Sequence, residues 1–342
     1  MDVLTGPEPI GVGVVGLRFG TAVHVPAFQA HRACRVVALA GRDLARTQGA
    51  AAAAGVERAY DSWRDLLLDD AIDAVSIAVP PSDQPAIISH AAQRGKHVFC
   101  EKPLAANLDS AREALDCVRR ASVVHAMNFI FPEVEAWRTT RELIRNGAIG
   151  ATRHFSYRWW IETLSSRAAT ASWKRGNAEG GGVVGNFLSH VLFNVEWLLG
   201  TVVAIDSVSR RDGAEAALFS ECVASLAGGV HGRISVSTAA YLGCGHEIEV
   251  FGDNGTIVLR NTTPNHHADG FEVSIGTRAS GRLEVVARDP VETAVDGRIA
   301  PTRRIVGRFL DAIRRGGSVE PNLEHGVHVQ QWLQQVSDAA IA

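Results

Sequence analysis

Short apolar segments alternate with helix-forming segments over the first third of the chain. The segments with the continuous apolar pattern of buried strands are residues 9–16, 35–40, 72–79, 97–100 and 122–127. The segments between them that carry a helical pattern are residues 43–54, 62–68, 82–94 and 107–121. Apolar strands separated by helices of this length form parallel sheets with right-handed crossovers. The pattern therefore predicts a doubly wound α/β domain, to which we assign residues 1–128.

The pattern changes to strands in series after residue 128. Strand-like segments lie at residues 154–160, 204–208, 217–225, 232–239, 247–251 and 256–259, and helices are predicted at residues 134–146, at 186–199 and twice more near the C-terminus. Asp253-Asn254-Gly255 is a strong hairpin signal between the last two strands. The polar segment 278–302 predicts irregular surface structure. We expect residues 129–342 to form an α+β domain with an antiparallel sheet, and we allow for a C-terminal helix that packs back on the first domain.

A glycine motif lies in the first predicted βαβ unit. Gly11, Gly13 and Gly16 match the pattern G-x-G-x-x-G, at a predicted strand and before a helical segment. In dinucleotide-binding domains the first glycine permits a tight turn, the second admits the pyrophosphate and the third allows close helix packing. We therefore expect a dinucleotide with its phosphates at the N-terminus of the first helix.

The end of the second predicted strand distinguishes NADP(H) from NAD(H). An NAD(H) site usually has an acidic residue there, whereas an NADP(H) site omits the acid and supplies arginine. Gly41 stands at the acidic position, Arg42 can meet a 2′-phosphate, and Asp43 fits the N-cap of the next helix. In the alternative interpretation Asp43 takes the ribose and Arg42 is a solvated cation. We favour NADP(H) over NAD(H).

Composition limits the class of protein further. The 342 residues fit about two domains, and 46% apolar with 21% charged residues is the balance of a soluble globular protein. The net charge of −3 argues against a general nucleic-acid binder. Five cysteines without a C-x-x-C pair argue against a disulfide framework or a structural zinc site, and no segment has the length and apolarity of a membrane span. We expect a cytoplasmic protein.

The most specific motif surrounds one of only three lysines in the chain. Residues 95–104 have the sequence G-K-H-V-F-C-E-K-P-L, which closely resembles the G-K-H-V-x-x-E-K-P-L segment of the glucose–fructose oxidoreductase, inositol dehydrogenase and MocA family. Residues 11–26, which end in H-x-P, residues 79–82 and residues 180–200 are similar to further segments of that family, so the resemblance spans the whole chain. It implies a Rossmann domain followed by a domain with an open, mostly antiparallel sheet, through which a homodimer or homotetramer would form.

The resemblance also implies an NAD(P)-dependent oxidoreductase that acts on a sugar, cyclitol or similar polyol, and it assigns roles to residues. The family's catalytic lysine corresponds to Lys102, which Glu101 would position, and its second-domain histidine corresponds to His190. The cofactor-binding residues expected from the motifs and the resemblance are Gly11, Gly13, Gly16, Arg18, Phe19, Gly41, Arg42, Val79, Pro80, Ser82, Glu101, Lys102 and Trp173. The expected substrate-binding residues are Lys102, Asn128, Trp173, Asn186 and His190.

Three residues depart from the family pattern. Asn186 stands where many members have an aspartate, and Phe193 stands where a carboxylate is often found. Asparagine can orient a hydroxyl but cannot carry its proton, so Lys102 and His190 remain as the acid–base candidates. Gln84 replaces a histidine that is common in the loop after the fourth strand. These differences weaken any transfer of inositol-type specificity.

Three functions are consistent with these residues. The first is an NADP(H)-dependent oxidoreductase that moves a hydride to or from a carbinol or ketone carbon, with Lys102 and His190 as acid and base. The second is a redox-neutral enzyme that retains its cofactor and combines oxidation, elimination or epimerisation, and reduction. The third is a non-catalytic NADP(H)-binding sensor or scaffold, which the loss of the motif aspartate favours. We expect no nucleic-acid or membrane partner and no metal, since His266, His267 and Asp269 lie in a turn-like segment without a further ligand set.

Overall fold

The structure, a computed structural model, divides into two compact units. It describes residues 8–163, 179–212, 217–263, 268–291 and 295–339, with only the backbone at residues 207 and 210–212. Within those ranges, the first unit contains residues 8–105, 109–128 and 298–327, and the second unit contains residues 106–108, 129–297 and 328–339. The domain boundary at residue 128, which the sequence suggested, stays a prediction.

The first unit is built on a sheet whose described strands are all parallel and follow the order β3-β2-β1-β4-β5-β6. These strands are β1 (Ile10–Val15), β2 (Cys34–Ala40), β3 (Arg58–Tyr60), β4 (Ala74–Ile77), β5 (His97–Cys100) and β6 (His125–Met127). The strand order reverses at β1 and β4, and ligands of such sheets bind at this point, outside the carboxyl ends of the strands. The doubly wound architecture is confirmed. The prediction omitted β3 because three residues carry too short a pattern.

Helices cover the sheet of the first unit. After β1 the chain forms a π-helical turn (Gly20–His24) that continues directly into α1 (Val25–Gln29). The other helices of this unit are α2 (Leu44–Ala54), α3 (Trp63–Leu68), α4 (Gln84–Gln93), α5 (Leu108–Ala121) and, from much later in the chain, α8 (Ile299–Arg315). Asp43 caps α2 as predicted, because its Oδ1 accepts a hydrogen bond from the Arg46 amide at 2.8 Å.

An aromatic core ties α8 to the first unit. Phe309 of α8 meets Phe28 of α1 and Phe99 of β5 edge-on, with ring centroids 6.5 and 5.8 Å apart. Phe28 and Phe99 lie 5.4 Å apart, and all three side chains are fully buried. Burial of such a side chain typically contributes about 1.5–3 kcal/mol. Although α8 follows the second sheet in the sequence, it is an integral part of the first unit.

The second unit is built on a mostly antiparallel sheet. Its described strands follow the order β14-β13-β12-β11-β7-β10-β9-β8, in which the pair β7 and β10 is parallel. These strands are β7 (Thr152–Trp160), β8 (Val202–Asp212), β9 (Ala217–Leu226), β10 (His231–Ser237), β11 (Gly245–Gly252), β12 (Gly255–Asn261), β13 (Glu272–Thr277) and β14 (Glu284–Arg288). The predicted hairpin turn at residues 253–255 joins β11 to β12.

The structure differs from the sequence-based prediction for the second half of the chain in two places: strand β13 was not predicted, and the segment 278–302 was assigned wrongly. Residues 278–302 were expected to be irregular, but β14 lies within them and α8 begins at Ile299. Strand β14 is an exposed edge strand with a charged residue at each end, so it lacks the alternation of apolar and polar positions that indicates a half-buried strand.

An aromatic cluster links the sheet of the second unit to the segment before its first helix. The remaining helices are α6 (Glu135–Arg145), α7 (Ser189–Leu199) and α9 (Leu323–Ala339), of which α9 is divided between the two units at residue 328. The Trp159 ring of β7 stacks on His246 of β11 at 4.0 Å, and Phe131, just before α6, meets His246 edge-on at 5.0 Å. None of the helices in the described part of the chain is both long and apolar enough to cross a membrane.

The Asp289 carboxyl, which follows β14, is a group whose ionisation opposes folding. Its Oδ1 accepts a hydrogen bond from the Ala136 amide in the first turn of α6 at 3.0 Å. Its Oδ2 is buried and has no hydrogen-bond partner among the described residues. Burial, together with the nearby carboxylates of Glu135 and Asp269, raises the pKa of Asp289 to about 6.

We expect Asp289→Asn to remove a pH dependence from the stability of the protein. The folded-state pKa of Asp289 exceeds its unfolded value of 3.8, so its contribution is fully present below that value and is lost as the pH rises through about 6. Relative to the variant, the wild-type free energy of unfolding should fall by about 1 kcal/mol between about pH 4 and pH 7, allowing for solvent screening. Urea denaturation across this range measures the difference, with Glu284→Gln, an exposed carboxyl on β14, as the control. Parallel pH profiles for wild type and Asp289→Asn would contradict the prediction.

Candidate active site

The turn between β1 and the helical segment 20–29 is suited to bind phosphate groups. Gly16 follows β1 with φ +112°, a left-handed conformation that favours glycine, and a Cβ there would overlap the Ala78 carbonyl oxygen. Arg18 is exposed in the turn, and Phe19, at the N-cap, makes no side-chain hydrogen bond to the helix. Backbone amides at such a helix N-terminus, beside the carboxyl end of a parallel strand, suit the pyrophosphate of a dinucleotide.

The other two glycines of the sequence motif lie inside β1. A Cβ on Gly11 would overlap the Ala71 carbonyl oxygen, and a Cβ on Gly13 would lie 2.6 Å from Leu66 Cδ2. Packing of the strand against its neighbours therefore accounts for both glycines. The prediction that Gly11 makes the tight turn was wrong, because the turn starts at Gly16. Cofactor contacts of Gly11 and Gly13 stay predictions.

Position 41, directly after β2, is where an NAD(H) site usually has an acidic residue, and it has no room for a side chain. A Cβ on Gly41 would lie 2.5 Å from Thr47 Oγ1 and 2.6 Å from Leu17 Cδ1. The neighbouring Arg42 side chain is 86% exposed, and its Nη2 lies 2.6 Å from Oδ2 of Asp83 in the loop after β4. The cation predicted to meet a 2′-phosphate is thus paired with a carboxylate at the same edge of the sheet.

The loop after β4 carries three of the predicted cofactor-binding residues, Val79, Pro80 and Ser82. The Asp83 amide donates to the Pro80 carbonyl at 2.9 Å, which closes a turn before α4. Gln84, the residue that departs from the family pattern, is fully buried, and its Nε2 donates to the Pro103 carbonyl at 2.7 Å. This side chain therefore connects the loop after β4 with the turn after β5.

Glu101 and Lys102 follow β5 at the same carboxyl edge. Glu101 Oε1 accepts hydrogen bonds from Asn128 Nδ2 at 2.7 Å and His24 Nε2 at 2.9 Å, and Oε2 accepts one from the Lys102 amide at 3.3 Å. Burial by itself raises the pKa of Glu101. The hydrogen bond and charge of His24, the charge of Lys102 and the Asn128 hydrogen bond outweigh burial, so the net pKa lies below its ordinary value. The carboxylate is ionised beside Lys102, and the Lys102–Pro103 peptide is cis.

Asn128, a predicted substrate-binding residue, is buried in the same network. Its side chain is 1% exposed, and its Nδ2 donates to Glu101 and, at 3.2 Å, to Thr302 Oγ1 of α8. These contacts make it a support of the Glu101 carboxylate. A direct contact between Asn128 and a substrate stays a prediction.

His190 lies in the second unit, on the first turn of α7. Its side chain is 8% exposed, and the rings of Phe131 and Trp159 lie 5.2 and 6.0 Å from its own. Phe193, one turn further along α7, stacks on Phe129 at 4.2 Å and 11°. The position at which a carboxylate is common in the family is thus occupied by part of an aromatic stack.

Asn186 belongs to the π-helical turn (Val184–Leu188) that precedes α7, and its side chain is half-buried. Gly185, next to it, is required by packing, because a Cβ there would overlap the Gly180 carbonyl oxygen. Trp173, predicted to contact both cofactor and substrate, lies outside the described residues, as do His266 and His267. No cluster of three or more metal-ligating side chains occurs within the described ranges.

Two residues of this site, His24 and Ser76, were not predicted from the sequence. His24 is fully buried and bridges Ser76 Oγ and Glu101 Oε1 through its two ring nitrogens, at 2.7 and 2.9 Å. The only signal for His24 was its place in the H-x-P segment after the glycine turn. Ser76 carried a weak signal, as a hydroxyl in the otherwise apolar strand β4.

The fold and site together define an NAD(P)-dependent oxidoreductase, with a glycine turn suited to phosphate groups at the switch point of a parallel sheet and a lysine beside a largely buried carboxylate. Residues 10–129 match the model of an oxidoreductase family with an NAD-binding Rossmann fold, and residues 137–258 match the GFO/IDH/MocA C-terminal domain. The chain belongs to the glucose–fructose oxidoreductase, inositol dehydrogenase and MocA family, as the resemblance implied.

Several relatives support this assignment. An uncharacterized oxidoreductase of Synechocystis sp. is 27% identical over 344 residues, which cover 96% of this chain and 93% of that protein. The levoglucosan dehydrogenase of Pseudarthrobacter phenanthrenivorans is 30% identical over 175 residues, or 51% of this chain and 44% of that protein. The D-xylose 1-dehydrogenase (NADP(+)) 2 of Haloferax volcanii is 34% identical over 152 residues, or 43% and 45%. A solved levoglucosan dehydrogenase in complex with NADH and levoglucosan shares the fold, with a TM-score of 0.86 over 98% of both chains at 22% identity.

We expect Gly16→Ala to abolish dinucleotide binding and to destabilise the protein. The added Cβ would overlap a backbone carbonyl at a positive φ, so the turn itself must move. The matched control is Gly49→Ala in α2, where a Cβ meets nothing within 4 Å and alanine should stabilise the helix by about 0.5–1 kcal/mol. Tryptophan-fluorescence titration with NADPH and NADH, together with urea denaturation, measures both effects. Undiminished binding by Gly16→Ala would exclude this turn as the phosphate site.

Proposed function

We propose that this protein transfers a hydride between NADP(H) and a carbinol or ketone carbon of a sugar, cyclitol or similar polyol, with Lys102 as the main acid–base residue. The observation that carries the proposal is the position of Lys102, directly after a buried, ionised Glu101 at the edge of the sheet that also carries the Gly16 turn. Relatives named for levoglucosan and D-xylose support a sugar-like substrate.

Hydride transfer to or from a carbinol carbon also needs a side chain that takes or returns a proton. Oxidation of a carbinol requires a base that takes the hydroxyl proton, and reduction of a ketone requires an acid that returns it. The nicotinamide, when bound, supplies the hydride acceptor or donor. Lys102 takes or returns the proton at Nζ, and the fixed charge of Glu101 stabilises the ammonium form. His190 is the second candidate, since an imidazole can accept and donate a proton near neutral pH.

The residues proposed to contact substrate in the second unit provide orientation and shape. Asn186 can hydrogen-bond a hydroxyl through either its amide or its carbonyl group without taking up the proton. The buried stack of Phe193 on Phe129 makes the surroundings of α7 apolar at the position where a carboxylate was expected.

Three residues directly after β2 support NADP(H) as the cofactor. Gly41 leaves no space for the carboxylate that would bind the ribose hydroxyls of NAD(H), and Asp43 is occupied as the N-cap of α2. The exposed Arg42 guanidinium can form a bidentate contact with a 2′-phosphate. Its partner Asp83 competes for the same guanidinium, so Asp83 is expected to tune the preference.

The other expectations about this protein stay predictions. They are a cytoplasmic location and a homodimer or homotetramer formed through the sheet of the second unit. A redox-neutral reaction with a retained cofactor predicts multiple turnovers without added NADP(H). A binding-only protein predicts cofactor binding without turnover on any carbinol or ketone.

We expect Lys102→Met to lower kcat by about a hundredfold or more while the Kd for NADPH stays unchanged, because the variant loses the proton carrier and keeps the phosphate-binding turn. The measurement is the absorbance of NADPH over a panel of aldoses, anhydrosugars, cyclitols and their ketones. Arg112→Met, which removes an exposed cation from α5, is the matched control. Full activity of Lys102→Met on a substrate that wild type turns over would refute the catalytic assignment. Cofactor binding without turnover by wild type would favour the binding-only function.

We expect Arg42→Ala to weaken NADPH binding by about tenfold and to leave NADH binding nearly unchanged, because a charge-assisted contact to the 2′-phosphate contributes about 1.5–3 kcal/mol. Asp83→Asn should have the opposite effect and tighten NADPH binding, since it frees the guanidinium. Fluorescence titrations of the three proteins with each cofactor provide the comparison. Equal losses for NADPH and NADH in Arg42→Ala would instead assign Arg42 a structural role.

A further inference from the structure

We propose that His24 is a positioning residue of the hydride-transfer site, which holds the Glu101 carboxylate in one orientation beside Lys102. This inference rests on the role of Lys102 in the proposed function and deepens it. It is carried by hydrogen bonds and ring contacts within the first unit, to which His24, Glu101 and Lys102 all belong.

Both ring nitrogens of His24 are engaged by defined partners. The Nε2 atom lies 2.9 Å from Glu101 Oε1, and the Nδ1 atom lies 2.7 Å from Ser76 Oγ. An ionised carboxylate only accepts hydrogen bonds, so the proton between His24 and Glu101 belongs to Nε2. In the neutral ring, Nδ1 then accepts from the Ser76 hydroxyl. This pairing selects one tautomer and one ring orientation.

Aromatic side chains hold the imidazole in place. The rings of Phe19 and Phe99 meet that of His24 edge-on, with centroids 5.4 and 5.3 Å away. His24 is fully buried and ends the π-helical turn, directly before α1, which has Pro26 near its start. A ring rotation would break two hydrogen bonds in a tightly packed surrounding, so the donor stays aimed at Glu101.

The groups that face the Glu101 carboxylate come from several elements. His24 and Asn128 donate to Oε1, the Lys102 amide donates to Oε2, and the charge of Lys102 is near. Further groups of this surrounding are the thiol of Cys100 on β5, Thr302 of α8 behind Asn128, and the Arg298 guanidinium on the Phe19 ring at 4.9 Å.

The hydrogen bond between His24 and Glu101 affects the pKa of Lys102. Without the Nε2–H donor, the buried Glu101 carboxylate loses one of the two side-chain hydrogen bonds that keep it ionised, and its pKa rises. A carboxylate that is no longer held by His24 can also turn away from Lys102 towards water, so its charge stabilises the ammonium form less and the pKa of Lys102 falls. A residue that only fills space would leave the titration of Lys102 unchanged when it is replaced by an apolar side chain of similar size.

Four variants separate these two roles. His24→Gln places an amide near the position of Nε2 and preserves the donor to Glu101. His24→Asn reaches only the position of Nδ1, and His24→Leu keeps bulk without any donor. Glu101→Gln removes the same charge directly and leaves His24 in place. Should His24→Leu not fold, His24→Asn makes the same test with a polar side chain.

The first measurement is an NMR titration of lysine side chains, which requires no turnover. The chain has three lysines, Lys96, Lys102 and Lys174, and the signal that disappears in Lys102→Arg identifies Lys102. We expect the titration midpoint of Lys102 to fall in His24→Leu, His24→Asn and Glu101→Gln by up to about one pH unit. The midpoint of His24→Gln should match wild type. An unchanged midpoint in a folded His24→Leu or His24→Asn protein would overturn the proposal.

The second measurement is the pH dependence of kcat for NADPH-dependent turnover. We expect kcat to fall about tenfold in His24→Leu and His24→Asn at an unchanged Kd for NADPH, with the limb of the profile that depends on Lys102 moved in the direction seen by NMR. His24→Gln should restore most of the activity. Equal losses in all three variants with an unmoved profile would show a packing role and overturn the inference while the proposed function stands. Absence of turnover by wild type would refute the proposed function, and the NMR titration alone would then decide the inference.

Discussion

The arrangement of the first unit depends on one buried carboxylate. Glu101 is an anion whose side chain is only 13% exposed, and a largely buried carboxylate is tolerated only when hydrogen-bond donors satisfy it. Its donors come from His24 after β1, Asn128 after β6 and the backbone of Lys102 after β5. Thr302 of α8 supports Asn128 from behind. One charge thus sets the relative positions of three strand ends and of a helix from much later in the chain.

Two lysines six residues apart in the same motif lie at opposite ends of β5. Lys96 precedes β5, and its Nζ donates to the carbonyls of Asp69 and Ile72 at 3.1 and 2.6 Å. Burial lowers the pKa of Lys96, against the raising effect of nearby aspartates. This lysine ties the start of β5 to the turn before β4, at the edge of the sheet opposite to the site. Lys102 follows β5 at the carboxyl edge, where its charge faces Glu101. Strand β5 thus separates a buried structural cation from the lysine to which we assign the proton transfer.

Aromatic side chains pack around α7 in the second unit. Rings of Phe131 and Trp159 lie near His190, and Phe193 stacks on Phe129 at the position where the resemblance implied a carboxylate. His190 and Phe193 thus lie in a buried, aromatic surrounding within the second unit.

The sequence by itself determined the doubly wound architecture, the family and most elements in their order, though not β3, β13 and β14, and it singled out the lysine of the E-K-P motif. These properties are encoded locally, in the periodicity of short segments and in ten contiguous residues. Only the tertiary structure decided that the turn begins at Gly16, that Arg42 pairs with Asp83, and that His24 supports Glu101 from 77 positions earlier in the chain. Such contacts arise because parallel strands bring their carboxyl ends to one edge of a sheet. Which side chains meet there depends on the register and packing of distant segments, and no local pattern records it.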